Sequence, residues 1–206
     1  MVNLIIIYFL NKLVNARILT RLTMFQIRNE GRGEVFMLRA FKDRLKELAA
    51  DPEDTFRFSL RKRVGKRATQ LLEKRLRKII LLMPGLIPRA YRHWQDEHAS
   101  PEVKKLGGFL LTYLYHPKDF LPEEDYAFFG YLDDAYLVLI VYQSVLRDLE
   151  QHGVSLDGWD QEFLENFPLW KKSVRQVIPD EAAKIEAMLK GILESREDAL
   201  DALFRN

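Results

Sequence analysis

The sequence predicts an all-α fold of about seven to nine helices around a central helical hairpin at about residues 100–150. Apolar residues recur at three- and four-residue steps along most of the chain, which is the period of an amphipathic helix. No segment alternates strictly between apolar and polar residues and is bounded by hairpin turns, as a β-hairpin would be. The run 135–146 is apolar nearly all round, which is typical of a helix at the centre of a fold.

Composition allows a sizeable core and excludes cysteine chemistry. Of the 206 residues, 48% are hydrophobic, which is sufficient for one large domain. The absence of cysteine excludes disulfides, thiolate metal sites and cysteine nucleophiles, and it suits a reducing compartment. We therefore expect a cytoplasmic protein, and no pattern indicates a cofactor.

Charge is divided unevenly between the two halves of the chain. Residues 1–95 carry 21 Lys and Arg against 8 Asp and Glu, a net charge of +13. Residues 96–206 carry 11 against 22, a net charge of −11. This division indicates either a surface that meets polyanions or two halves that neutralise each other.

Residues 1–33 form an apolar and basic segment that we assign to the periphery of the fold. Residues 4–10 are uninterruptedly apolar, but a bilayer-spanning helix needs about 20 such residues. No basic stretch precedes the run and no small-residue cleavage site follows it, which argues against a signal peptide. The segment either packs on the domain or lies on a membrane surface, or Met24 is the true start. Residues 34–206 are assigned to one helical domain.

Residues 34–50 predict the first helix of this domain. Its apolar face consists of Val35, Leu38, Phe41, Leu45 and Leu48. The next helix is expected to begin after Asp51 as the N-cap, with Pro52 at the first helical position.

Residues 55–83 predict a long amphipathic helix with one basic face. Its apolar stripe consists of Leu60, Val64, Ala68, Leu71, Leu72, Leu76, Ile79, Ile80 and Met83. Its candidate anion-binding residues are Arg61, Lys62, Arg63, Lys66, Arg67, Lys74, Arg75, Arg77 and Lys78. Like charges one turn apart are mildly destabilising, so a bound anion would stabilise this helix. We expect it to end at residues 84–88, where two prolines occur close together.

The basic face has three competing explanations: a solvated surface, an anionic membrane surface, or a nucleic-acid interface. A basic residue near an anionic membrane contributes about 1 kcal/mol. Nucleic acid is less favoured, because no aromatic residue interleaves with residues 61–78 and no nucleic-acid-binding motif is recognisable. The following segment contains His93, Trp94 and His98, but these lack an acidic third ligand at a recognised spacing, so we assign no metal site.

Capping and proline signals define the central hairpin. Ser100 is the expected N-cap of a helix that begins at Pro101 and continues to about residue 115. Pro117 stops this helix, and Pro122 fits the first turn of the next. The second helix, or a kinked pair around Gly130, is expected to continue to about residue 151.

Polar side chains concentrate in this hairpin. The cluster consists of Tyr113, His116, Asp119, Tyr131, Asp133 and Asp134. One of the adjacent residues Asp133 and Asp134 can face solvent, whereas the other must be buried and therefore needs hydrogen bonds or a cation. The favoured interpretation is that an aspartate stabilises the interhelical turn. The alternative is a carboxylate pair, in which Asp119 faces Asp133 or Asp134 and binds a divalent cation or acts as acid and base.

The motif Tyr113-x3-Pro117-x-Asp119-Phe120-Leu121-Pro122, followed by Gly130-Tyr131-Leu132-Asp133-Asp134, resembles the YkvA-like domain family, a domain of unknown function. The resemblance extends over about residues 106–146, with Glu123 where the family usually has aspartate. It implies a helical hairpin in proteins often predicted to associate with membranes. It implies no established activity and no catalytic residue.

The C-terminal third predicts two further helices. Residues 156–170 indicate a short amphipathic helix that is broken before Pro168, with its aromatic residues Trp159, Phe163, Phe167 and Trp170 in the core. Pro179 is expected to open the last helix, whose apolar stripe either docks on the core or pairs with another copy in a homo-oligomer.

These patterns favour a non-enzymatic helical protein, peripheral at a membrane. Its basic N-terminal half is expected to dock on an anionic membrane surface or on an acidic protein partner. The two alternatives are a carboxylate-based, metal-dependent enzyme at the central hairpin and nucleic-acid binding through the basic helix.

Overall fold

The computed structural model describes residues 32–51, 53, 55–96, 99–114, 120–121 and 126–194, with the backbone alone for 32–38. The described residues form six α-helices and one 3₁₀ helix, and they include no strand. The α-helices are α1 (Arg32–Ala49), α2 (Thr55–Trp94), α3 (Pro101–Leu114), α4 (Leu132–Gln151), α5 (Gly158–Val177) and α6 (Pro179–Leu193), and the 3₁₀ helix is Ala127–Tyr131. The all-α prediction is confirmed, although seven to nine helices is slightly more than the described residues form.

Helix α4 lies at the centre of the fold. Every residue from Leu132 to Leu139 is buried, and α2, α3, α5 and α6 all pack against this helix. A helix that is apolar nearly all round loses its exposed apolar surface only when other helices surround it. The position of α4 therefore follows from the apolar run 135–146.

Helix α2 consists of two arms, 55–64 and 66–94, that fold back on each other at Gly65. Gly65 has φ 78° and ψ 169°, outside the helical region. Arg57 Nε lies 3.4 Å from Glu73 Oε2, and the guanidinium of Arg77 lies 4.5 Å from the centre of the Phe56 ring. In a straight helix, residues 57 and 73 would be separated by about 24 Å along the axis, which these side chains cannot span. We call this folded pair of arms the α2 hairpin.

The predicted end of α2 at residues 84–88 is wrong. The second arm continues through Pro84 and Pro88 to Trp94. A proline inside a helix costs about 3 kcal/mol, because it removes one hydrogen bond and crowds the preceding turn. Leu86 and Ala90 are buried at helical spacing beyond Pro84, so the apolar contacts of this segment offset the cost.

Two further predictions, one for α5 and one for α2, differ from the structure. Helix α5 was expected to be broken before Pro168, but it continues through Pro168 to Val177, and Val174 and Val177 are buried. Leu71 was assigned to the apolar stripe of α2, but 70% of its surface is exposed. The buried residues Leu72 and Leu76 define the inner face of the second arm, and Leu71 points about 100° away from Leu72.

The predicted cap of α3 is present, whereas α2 begins at Thr55, later than predicted, and the cap of α5 was not predicted. Ser100 Oγ accepts a hydrogen bond from the Val103 N–H at 3.2 Å, and Asp157 Oδ1 accepts one from the Asp160 N–H at 2.8 Å. Asp51 accepts hydrogen bonds from the Glu53 N–H at 3.0 Å and from the Thr55 hydroxyl at 2.8 Å. These bonds, led by that of Glu53, lower the pKa of Asp51.

The C-terminal aromatic residues belong to the core, as predicted. The rings of Tyr142 and Phe163 meet edge to face with centroids 4.9 Å apart, and Trp170 contacts Phe163 at 5.5 Å. Helix α6 begins at Pro179 and packs against α3, α4 and α5. The described part of the last helix is therefore docked on the core.

Candidate functional site

Asp133 and Asp134 occupy the first turn of the central helix α4. Both are buried, with 0% and 4% of their surfaces exposed. The expectation that one of them faces solvent is therefore wrong. The preceding 3₁₀ helix, whose Phe128 and Phe129 are fully buried, covers this end of α4 together with α2. The positive end of a helix favours carboxylates in its first turn, which offsets part of the cost of burying them.

Tyr113 binds Asp133 across the central hairpin. The Tyr113 hydroxyl donates to Asp133 Oδ2 at 2.9 Å, and both residues are buried. The Tyr113 ring packs against Phe109 and Phe120 with centroids 6.2 Å and 6.0 Å away. The hydrogen bond joins α3 to the start of α4, which is the structural role predicted for this aspartate. Tyr131, at the end of the 3₁₀ helix, packs against Phe41 of α1 at 6.1 Å.

His116 and Asp119 lie outside the described residues, as do the rest of 115–119 and residues 122–125. The structure therefore brings together Tyr113, Asp133 and the neighbouring Asp134. The described part of the chain contains no group of three His, Cys, Asp or Glu side chains that could hold a metal ion. His93 is half-buried at the end of α2, where burial lowers its pKa.

We expect Tyr113→Phe to lower the free energy of unfolding by about 1–2 kcal/mol, because it removes a donor from a buried carboxylate and leaves the aromatic packing in place. Urea denaturation measures this change. Tyr91→Phe is the matched control, since Tyr91 is half-buried and its hydroxyl has no hydrogen bond to a described residue. Its expected effect is within about 0.5 kcal/mol. Equal effects of the two variants would contradict a specific role for the Tyr113 hydroxyl.

Four of the nine candidate anion-binding residues make intramolecular contacts. Arg63 Nη1 lies 2.9 Å from Glu181 Oε1, and Arg75 Nη1 donates to Ser173 Oγ at 3.0 Å. Arg77 donates to the Ala49 carbonyl at 3.1 Å. Lys78 Nζ lies 5.5 Å from the centre of the Trp170 ring. These contacts join α2 to its neighbours and account for part of the basic face.

The other five candidate residues extend from the α2 hairpin into solvent. They are Arg61, Lys62, Lys66, Arg67 and Lys74, all of which are exposed. None of the five forms an ion pair with a described residue. Residues 55–72 contain no Asp or Glu, so the charged side chains of the chain on both sides of Gly65 are all cationic.

Two large apolar side chains are exposed on the same hairpin. Phe58 in the first arm is 72% exposed and Leu71 in the second arm is 70% exposed. Sequence analysis missed both, because the periodicity of a continuous helix assigns Leu71 to the core and leaves Phe58 without a role. Because the chain folds back at Gly65, the two arms bury their residues independently of each other. The glycine was the sequence feature that could have indicated this break in the helix.

A partly exposed ion-pair network joins the two oppositely charged halves. Arg89 of α2 lies 3.1 Å from Asp157 and 3.2 Å from Asp160, and its guanidinium packs on Trp159 at 4.4 Å. Tyr142 donates a hydrogen bond to Asp160. Burial, followed by this bond to a carboxylate, raises the pKa of Tyr142. Part of the charge asymmetry is thus neutralised within the protein.

Comparison with known proteins matches one region of the chain to a family model. Residues 103–140, from α3 into α4, match a family model described as "Protein of unknown function (DUF1232)". No curated protein and no solved structure matched this chain. Among the described residues, no helix is both long enough and apolar enough to cross a membrane. The predicted resemblance is thereby confirmed over residues 103–140, which match a domain of unknown function consistent with the YkvA-like family.

Proposed function

We propose that the α2 hairpin docks this protein on an anionic membrane surface. The observation that supports the proposal is the combination of exposed Phe58 and Leu71 with the exposed cations on either side of Gly65. Apolar anchors beside Lys and Arg are the usual composition of segments that lie at a membrane interface. An exposed apolar side chain by itself would need no explanation.

The position of the anchors suits shallow insertion. Phe58 lies seven residues before Gly65, and Leu71 lies six residues after it. At 1.5 Å per residue, each anchor is about 10 Å from the turn along its arm. Interfacial segments bury their apolar face about 5–10 Å into the headgroup region, so the turn and both anchors can reach this region together.

The expected energies favour a reversible association. Four cations near the turn, Arg61, Lys62, Lys66 and Arg67, contribute about 1 kcal/mol each near an anionic surface. Transfer of Phe58 and Leu71 from water contributes about 1.5–3 kcal/mol for each side chain that is fully buried. The electrostatic part weakens as salt screens the charges.

The alternative functions have less support in the described residues. The carboxylates of Asp133 and Asp134 are buried inside the hairpin, so a substrate or ion from solvent has no direct access to them. The two large exposed apolar side chains beside the cations are better suited to a lipid surface than to the phosphate backbone of a nucleic acid.

We expect the full chain to float with vesicles of phosphatidylcholine and phosphatidylserine at low salt, and to stay unbound with phosphatidylcholine alone. Replacing the four cations together, in Arg61→Gln/Lys62→Gln/Lys66→Gln/Arg67→Gln, should weaken binding by at least about a hundredfold. Phe58→Ser/Leu71→Ser should weaken it by about tenfold or more, because the anchors no longer enter the interface. Vesicle flotation measures both changes.

Val154→Ser/Leu169→Ser is the matched control for the anchors. Val154 and Leu169 are each 47% exposed and lie outside α2, so their replacement should leave flotation unchanged. If the unmodified chain did not bind anionic vesicles at low salt, the proposal would be wrong. Equal loss of binding in the control and in the Phe58/Leu71 variant would also contradict it.

A further inference from the structure

A groove between α4 and α5 brings one cation of α4 next to three cations of α5. Arg147 of α4 lines it together with Lys171, Lys172 and Arg175 of α5, and its volume is about 590 Å³. Residues 96–206 contain 11 Lys and Arg in all. More than a third of them therefore line one groove, in the half of the chain that is acidic overall.

One carboxylate lies among these cations. Glu186 Oε1 of α6 is 3.3 Å from Lys171 Nζ and 3.9 Å from Arg175 Nε, and the Tyr136 hydroxyl donates to the same oxygen. Burial by itself would raise the pKa of Glu186, but the hydrogen bonds from Tyr136 and Lys171 outweigh this effect and lower it. Glu186 therefore stays ionised at neutral pH and helps to hold Lys171 and Arg175 in position.

Arg147 and Lys172 add positive charge that Glu186 does not neutralise. Among the described residues, no carboxylate lies within ion-pair distance of either side chain. Of the four cations, Lys171 and Arg175 share Glu186, whereas Glu102 and Asp148 line a neighbouring pocket with Arg147 without pairing with it at ion-pair distance. Both Arg147 and Lys172 are exposed, so an anion from solvent can reach them.

The lining residues form two facing rows. Gln143 and Arg147 are one turn apart on α4, and Lys171 and Arg175 are one turn apart on α5. Guanidinium groups match pairs of phosphate oxygens, and a lysine ammonium adds a point charge. Phe167 and Pro168 supply an apolar part of the lining. A volume of 590 Å³ falls within the range of small-molecule pockets, about 300–1,000 Å³.

We propose that this groove binds a small organic phosphate that carries at least two negative charges. Its phosphate groups contact Arg147, Lys172 and Arg175, and its organic part packs against the exposed Pro168. A phosphate ester of this kind occurs both in soluble metabolites and in phosphorylated lipid headgroups. The site is separate from the α2 hairpin and does not depend on membrane docking.

Calorimetric titration of the full chain at low salt, with inositol trisphosphate and with adenosine diphosphate as probes, tests the proposal. We expect saturable binding of at least one probe with one site per chain. Arg147→Gln/Lys172→Gln should raise its Kd by about tenfold or more, because two charge-assisted contacts to phosphate are lost. This variant keeps the Glu186 contacts, and circular dichroism verifies that it is folded.

Lys42→Gln/Lys46→Gln is the matched control, since it removes the same charge from exposed positions of α1 that belong to neither proposed site. It should leave the Kd of the probe unchanged. Absence of saturable binding for both probes would overturn the proposal. Equal weakening by the two double variants would also overturn it, because this result would indicate a general effect of net charge.

Competition with vesicles that contain a phosphoinositide identifies the source of the ligand. The competition is measured in the Phe58→Ser/Leu71→Ser variant, so that docking through the α2 hairpin contributes little. Displacement of the soluble probe assigns the groove to a lipid headgroup, and retention of the probe assigns it to a soluble phosphate; both results support the proposal. If the unmodified chain did not float with anionic vesicles but still bound the probe, membrane docking through the α2 hairpin would be contradicted and the phosphate site would not.

Discussion

Gly65→Ala is expected to lower the free energy of unfolding by about 1–3 kcal/mol, although the new methyl group meets no atom. The backbone of Gly65 has φ 78° and ψ 169°, a combination that is accessible essentially to glycine alone. A Cβ built at this position has no neighbour within 4 Å, so the whole effect is backbone strain. The strain acts at the turn that brings the two arms of α2 together.

Urea denaturation of Gly65→Ala and Gly85→Ala measures this effect against a matched control. Gly85 lies in the same helix, is exposed and also has space for a Cβ, but its backbone is helical. Gly85→Ala should therefore stabilise the protein by up to about 1 kcal/mol. Gly65→Asn should be as unfavourable as Gly65→Ala, since asparagine tolerates positive φ mainly near ψ 30–60°. Equal effects at positions 65 and 85 would contradict a fold-back at Gly65.

The breaks in α2 show where local sequence rules stop being sufficient. Proline is the stronger helix breaker by propensity, so residues 84–88 were the natural place to end the helix. The structure instead continues through Pro84 and turns at Gly65. The cost of Pro84 is offset by the tertiary burial of the residues that follow it. Gly65, in contrast, adopts its positive φ without steric cost, because it has no Cβ. Local propensity cannot weigh these two effects, because burial depends on contacts with distant elements.

The central hairpin could be predicted well because its signals are local. The Ser100 cap, the buried run after Gly130 and the role of an aspartate held by Tyr113 all depend on residues close in sequence or on a recognisable motif. The burial of both Asp133 and Asp134 could not be predicted in this way. It depends on the 3₁₀ helix and on α2, which cover the start of α4 from outside the hairpin.

For the charged surfaces too, local features could be predicted from the sequence, whereas features that depend on tertiary contacts could not. The basic face of α2 is visible in the sequence, but the contacts that engage Arg63 and Arg75 cross about a hundred residues. The groove could not be predicted from the sequence, because Arg147 lies 24 residues before the cluster of Lys171, Lys172 and Arg175. Only the packing of α4 against α5 brings them together.

Gly107→Ala is expected to lower the free energy of unfolding by about 1–3 kcal/mol because of overpacking. Gly107 is buried in α3, and a Cβ at this position would lie 2.4 Å from Trp94 Cδ2 and 2.7 Å from Trp94 Cγ. Cγ is the atom that attaches the indole ring, so a simple rotation of the side chain gives little relief. Trp94 is itself buried and contacts the Tyr91 ring edge to face at 5.7 Å. The glycine therefore allows α3 to approach the end of α2 closely.

The adjacent Gly108 is the control for this substitution. It is exposed, and a Cβ there meets no atom within 4 Å, so Gly108→Ala should stabilise the protein by about 0.5–1 kcal/mol through helix propensity. Urea denaturation should therefore give opposite signs for two neighbouring glycines of one helix. In a Trp94→Leu background the cost of Gly107→Ala should fall, because the ring it clashes with is absent, and this difference gives the coupling energy between the two residues. An unchanged cost in that background would show that the strain arises from backbone displacement of α3 and not from contact with Trp94.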